Sequence, residues 1–232
     1  MSEIVIDIHT IDWTEGDHCG LSFLIVNGKK ANVAWGDGRK QSVYGREDYL
    51  NGGLVWQRVD HYFPQKDNDY TIGIQSDDDN TIIGFSGMAM FEQYTTRIDL
   101  SRCPSLKVFE YSACEGILLD VSGNPNLERV LVREVTNQQL DFSANPKLEE
   151  LQISESNNLV SIKLSKNDRL RKLNICVNPK LQKVALSNKS SLNWLSYWGT
   201  DNLNPKDKEY LLKTLERNSP YYIEDFGNDD EL

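Results

Sequence analysis

The chain has 232 residues, with 35 Asp and Glu against 25 Lys and Arg and a formal net charge of -10 at pH 7. No apolar run approaches the roughly 20 residues of a membrane-spanning helix, and the scattered cations form no basic stripe of the kind that phosphate binding needs. Membrane insertion and nucleic-acid binding are therefore not expected, and the length fits two modest folded domains.

The opening MSEIVIDIHTIDW lacks a basic segment followed by a long apolar core, so no secretory signal is visible and the sequence by itself reads as cytoplasmic. Residues 1–92 run as short stretches such as EIVIDIHTIDW, LSFLIVNG, ANVAWGDGRKQSVY and DYTIGIQSDDDNTIIGFSG. Gly, Asn and Asp clusters separate them, which predicts the strands of a β-sandwich. Asp37 and Gly38 read as a tight turn with Gly38 at positive φ. SDDDN at 76–80 reads as a hairpin turn, because Asp and Asn tolerate left-handed backbone. A calcium loop is the alternative there, but the EF-hand glycine and terminal glutamate are missing.

From residue 93 the rhythm changes to units of ten or eleven residues reading L-x-x-[apolar]-x-[apolar], ten in succession from Ile98 and Leu100 to Leu195 and Tyr197. Leu106, Leu127, Leu148, Leu159, Leu170, Leu181 and Leu192 open seven of them, while Thr95, Gly116 and Asn137 stand where three more leucines are due. Apolar residues two apart share one side of an extended chain, so each unit is a short strand with one buried edge. Asn124-Pro125, Asn145-Pro146 and Asn178-Pro179 read as turn pairs. Two units make a coil of 21 or 22 residues, and five coils make a solenoid over 93–203. NPKDKEYLLKTLERN then predicts a capping helix within 204–219, with Asn204 as N-cap, Pro205 at the first position and Leu211, Leu212 and Leu215 on one face. Residues 220–232 form an acidic tail.

The chemistry-bearing inventory is thin. His9, His18 and His61 all lie in the N-terminal region, Cys19, Cys103, Cys114 and Cys176 have no zinc spacing, and phosphate-loop, dinucleotide and nucleophile-elbow motifs are missing. No cofactor, resident metal or catalytic residue is expected. A row of Asp99, Asp120 and Asp141 ending in Lys163 invites a cation, yet an exposed face solvates such charges without one.

VAWGDG, HYFP and DYTIGI resemble the motifs of PKD-like immunoglobulin-type β-sandwiches over about the first 90 residues, and LDVSGNPNL and LNICVNPKL resemble the leucine-rich repeats of bacterial internalin-like and Bacteroidetes proteins. The resemblance implies a mainly β chain, sandwich then solenoid, in a non-enzymatic recognition or adhesion protein often found secreted or at the cell surface. It further implies that the strands near 108–112, 129–133, 150–154, 172–176 and 194–198 line a concave sheet. Their outward residues differ from coil to coil: Glu110, Arg129, Leu131, Arg133, Gln152, Lys172, Asn174, Trp194 and Trp198 are the candidate contacts for a protein or glycan, with Cys176 expected to face outward among them. A scaffold without ligand, or a hydrolase using the sandwich, is the alternative.

The cysteine spacing predicts free thiols. Denatured, non-reduced protein is expected to react with about four equivalents of Ellman's reagent, one for each of its 4 cysteines; fewer than about two would reveal disulfides.

Overall fold

The computed structural model describes residues 1–10, 19–48, 52–65, 67–90, 94–112 and 117–219; His18, Cys114, Gly116 and the acidic tail lie outside the described residues. The chain is mainly β, with a β-solenoid of about 5 turns and one C-terminal helix. Eight strands come first: β1 (Glu3–Thr10), β2 (Cys19–Ile25), β3 (Lys30–Ala34), β4 (Lys40–Tyr44), β5 (Gln57–His61), β6 (Asn68–Ser76), β7 (Ile82–Met90) and β8 (Tyr94–Arg102). Strict alternation drives them. In β1, Ile4, Ile6 and Ile8 are buried while their neighbours are partly exposed, as a period of two requires.

These strands divide between two sheets. An antiparallel five-stranded sheet has the order β4-β3-β6-β1-β8, while β5, β2 and β7 form the antiparallel end of an eight-stranded sheet. The 76–80 segment is therefore no hairpin, since β6 and β7 belong to different sheets. Its aspartates act locally instead: Asp78 accepts the Asn80 N–H and the Thr81 hydroxyl through Oδ1 and pairs with Lys29 Nζ at 2.8 Å, at the point where the chain passes from one sheet to the other. Gly38 does adopt φ 91°.

The solenoid strands are β9 (Val108–Tyr111), β10 (Arg129–Arg133), β11 (Gln139–Asp141), β12 (Glu150–Ser154), β13 (Ser161–Leu164), β14 (Lys172–Asn174), β15 (Lys183–Leu186) and β16 (Trp194–Ser196), followed by α1 (Pro205–Asn218). One sheet crosses the expected boundary at residue 92. β7 pairs in parallel with β9, and the order continues β9-β10-β12-β14-β16. Gly87 permits the junction, because a Cβ there would lie 2.4 Å from the Tyr111 ring. On the other side β11, β13 and β15 stack in parallel. The apolar pairs of the repeat are buried throughout except Ile98 and Tyr197, which are partly buried.

Two of the expected leucine positions hold polar residues with a structural task. Thr95 hydrogen-bonds the Tyr111 hydroxyl in the core. Asn137 accepts the Leu119 N–H at 2.8 Å and donates to the Leu119 carbonyl at 3.0 Å. Residues 119–121 form no strand, and this side chain supplies the bonds a neighbouring strand would have made.

The turn asparagines do more than turn the chain. Asn124, Asn145 and Asn167 are fully buried. Asn124 Nδ2 donates to the carbonyls of Leu100 and Cys103, Asn145 Nδ2 to those of Val121 and Asn124, and Asn167 Nδ2 to those of Phe142 and Asn145, all at 2.7–3.1 Å. Each coil thereby satisfies carbonyls of the one before. The prolines that follow, Pro125 and Pro146, are exposed. A second recurring feature has no constant residue type: Glu134, Glu155, Val177 and Gly199 all have φ between 55° and 68°, and of these only Gly199 suits the left-handed region without strain.

The helix closes the far end as its sequence predicts. Asn204 Oδ1 accepts the Lys206 N–H at 2.9 Å, and Leu211, Thr214 and Leu215 are buried. Asp207 in its first turn accepts the Val184 N–H of β15 at 3.1 Å.

Asn145→Ala is expected to lower unfolding stability by about 2–4 kcal/mol, because two buried carbonyls lose their donor, whereas Pro146→Ala changes it by less than about 1 kcal/mol. Urea unfolding of both variants checks this, and similar midpoints would show that the asparagine serves only the turn.

Candidate functional site

All nine residues anticipated as contacts lie on or beside the outward side of the solenoid part of the eight-stranded sheet. The register sets them in rows. One row runs Val108, Arg129, Glu150, Lys172, Trp194; the next runs Glu110, Leu131, Gln152, Asn174, Ser196. Neighbouring strands are about 4.8 Å apart, so the first row spans about 19 Å. Trp198 follows β16, and its carbonyl accepts the Val177 N–H at 2.8 Å.

The electrostatics divide this face. Arg129 sits between Glu110 and Glu150, at 3.6 and 3.5 Å, and Arg133 pairs with Glu155 at 2.5 Å, an interaction that raises the arginine's already high pKa. Gln152 donates to Glu150 at 2.7 Å, and Asn174 Oδ1 accepts the Cys176 N–H at 3.1 Å. Those groups are engaged within the sheet. Lys172 is exposed without an ion pair among the described residues, Trp194 is 38% exposed and Trp198 is 67% exposed. Cys176, expected to be exposed among these residues, is buried: β14 ends at Asn174, and the thiol lies covered 2.9 Å from Ser196 Oγ of the outward row, with burial raising its pKa.

On the other side the aspartates close small loops. Asp99, Asp120 and Asp141 each accept the N–H of the serine two residues on, at 2.8–3.0 Å. This Asp-x-Ser turn explains why both residue types recur. Hydrogen bonds from Ser101, then Arg97, hold the Asp99 carboxyl below its ordinary value. Lys163, in register with Asp141 at 2.8 Å, and Ser143 bring Asp141 down to about 2. Among the described residues, no group of three or more His, Cys, Asp or Glu is placed to hold a metal ion.

Of the histidines, His9 is partly exposed between Asp69 at 2.8 Å and Asp67 at 3.2 Å, and the Asp69 hydrogen bond is the main cause of its raised pKa. His61 is buried. Its ring stacks on Trp35 with centroids 4.5 Å apart, and Nε2 lies 2.9 Å from Asp37 Oδ2. Phe63 packs edge-on against both rings. Both side chains are largely covered, at the edge of the core beside the exposed Arg39. Burial pushes the Asp37 carboxyl up, but the Arg39 N–H at 3.0 Å and the His61 ring outweigh that and hold it below the usual carboxylate range. Burial pushes the Cys19 thiol up to about 12 and the Cys103 thiol up to about 11, so both are inert as nucleophiles.

The cations are not scattered. Residues 160–219 hold 12 Lys and Arg against 5 Asp and Glu, a net +7, whereas residues 1–159 hold 13 against 25, a net -12. A count by segment finds this in the sequence; the solenoid adds that successive turns lie beside one another.

Comparison with known protein families, curated proteins and solved structures finds no match.

Asp37 gives a stability contribution with a defined sign. Its folded pKa lies below the unfolded value near about 3.9, so the contribution is complete above that pH and lost as pH falls through the folded value. Asp37→Asn is expected to lower stability at neutral pH and to flatten the fall below about pH 4. An unchanged slope in acid urea titrations would show that Asp37 titrates alike in both states.

Proposed function

We propose that the chain is a non-enzymatic recognition protein whose solenoid is of the leucine-rich-repeat kind, carried beside a PKD-like β-sandwich, and that the outward face around Lys172, Trp194 and Trp198 binds a protein or glycan. The observation that carries this is the exposure of two tryptophans on the one face whose side chains vary from coil to coil. Exposed tryptophan is unfavourable in water and is enriched where partners bind. Lys172 stands in register with Trp194, so a cation and an aromatic surface adjoin. Arg129 and Arg133 have a lesser role than their residue type suggests, because Arg129 is already matched by glutamates of the same sheet and Arg133 by Glu155, just beyond β12. The packing of His61 between Trp35 and Phe63 and the raised pKa values of Cys19 and Cys103 support a role other than catalysis.

A glycan array and cross-linking mass spectrometry would supply candidate ligands, each then titrated against defined variants. Trp194→Ala and Trp198→Ala are expected to weaken binding by about tenfold or more at an unchanged melting temperature. Changing Asp99, Asp120 and Asp141 to Asn leaves affinity unchanged. Loss with the aspartate variants alone, together with a requirement for a divalent cation, moves the site to the other face.

A further inference from the structure

The cations of the last coils converge on a feature apart from the tryptophan face. An open cleft of about 450 Å³ lies between the 188–193 turn and the end of α1, with Lys189 and Arg217 on its walls. Arg217 and Asn218 build it. The Arg217 guanidinium donates to the Asn188 and Ser190 carbonyls at 3.4 and 3.2 Å, and Asn218 Nδ2 donates to the Ser190 and Leu192 carbonyls, both at 2.9 Å.

More positive charge stands on the neighbouring coil. The Asn167 N–H bonds the Leu164 carbonyl as the Ser190 N–H bonds the Ser187 carbonyl, so Lys166 and Lys189 occupy matching turn positions, one coil or about 5 Å apart. Arg169 belongs to the same turn as Lys166. Lys166, Arg169 and Lys189 are exposed and make no ion pair among the described residues. The nearby carboxylate, Asp168, accepts the Ser187 hydroxyl. Several cations of the earlier coils are matched, with Lys107 paired to Glu128, Arg129 to two glutamates and Lys163 to Asp141, while Lys147 bonds Asn126. Three exposed cations without an ion pair among the described residues, side by side over two neighbouring turns with Arg217 next to them, mark a surface complementary to an anion.

We propose that this cleft and its rim dock an acidic polypeptide segment, with Lys189 and Arg217 taking carboxylates in the cleft and Lys166 and Arg169 extending the contact across the adjacent coil. The proposal rests on the recognition reading and adds a second contact to it. Charge complementarity favours a short acidic peptide over a nucleic acid. The basic zone covers two coils, about 10 Å of solenoid, which matches a few residues of extended peptide and is shorter than the phosphate tract a nucleic acid lays along a protein.

The test uses the full chain and fluorescence anisotropy at about 0.15 M ionic strength. The probe is a fluorescein-labelled peptide of Glu, Asp and Gly only, compared with a single-stranded oligonucleotide and a sulfated oligosaccharide of equal charge. The peptide is expected to bind more tightly than either. The combined Lys166→Glu, Arg169→Glu, Lys189→Glu variant should lose about tenfold or more, and a matched charge reversal at the exposed Lys30, Lys40 and Arg46 of the N-terminal region should lose little. Unchanged thermal midpoints show that both variants fold. Trp194→Ala should leave peptide affinity unchanged, so failure of the tryptophan face and failure of this cleft are read separately. Tighter binding of the oligonucleotide or the sulfated sugar overturns the assignment to an acidic peptide, as does equal loss in the two charge-reversal variants. Salt-sensitive self-association in sedimentation velocity, without peptide binding, overturns it in favour of a second copy of the chain.

Discussion

Each coil of the solenoid must satisfy the carbonyls buried at the turn of the coil before it, and a buried asparagine amide does so. Asn124, Asn145 and Asn167 each reach back across one coil with two donors. A buried carbonyl without a donor costs more than a hydrogen bond ordinarily contributes, so these amides tie the register of one coil to the next. Asn178 performs a related task on the other turn, donating to the Ile153 carbonyl and accepting the Ser156 N–H. With register held from inside, the outward side chains are free to vary.

Both ends of the stack need closure, because a terminal coil presents unpaired strand and apolar surface. At the N-terminal end the closure is a continuation. β7 donates its edge to β9, so the change from antiparallel to parallel pairing occurs within one sheet, and β8 binds β1 while carrying Leu100 into the first coil. At the other end α1 lies over the apolar interior, with Asp207 tied to β15 and Lys208 4.8 Å from the Tyr197 ring.

Charge follows the coil order. In the first three coils lysines and arginines meet glutamates or aspartates across strands, which adds little stability individually but leaves a balanced face. Between Lys166 and Asn218 the balance shifts, with 11 lysines and arginines against 5 carboxylates. The tryptophans stand on this same end, at the last strand. Aromatic surface and unmatched positive charge are thus brought to one part of the molecule, on two neighbouring aspects of it.

The repeat, its period, the buried pairs and the helix with its Asn204 cap were legible in the sequence, because a period of two and a leading leucine repeat wherever a strand is half buried. So was the division between a varied face and a repetitive one. Other properties were decided only by tertiary contacts. The sequence could not show that SDDDN joins two sheets, since its turn chemistry is the same for a hairpin and a crossing, and strand partners are set by distant residues. Cys176 follows the alternation of its neighbours yet is buried, its sulfur set against Ser196 Oγ of the next coil. Arg129 looked like a free hot spot until strand pairing placed a glutamate on either side. The basic cleft is invisible in a linear reading for the same reason: Lys166, Lys189 and Arg217 are far apart along the chain, and only the stacking of coils about 5 Å apart makes them neighbours.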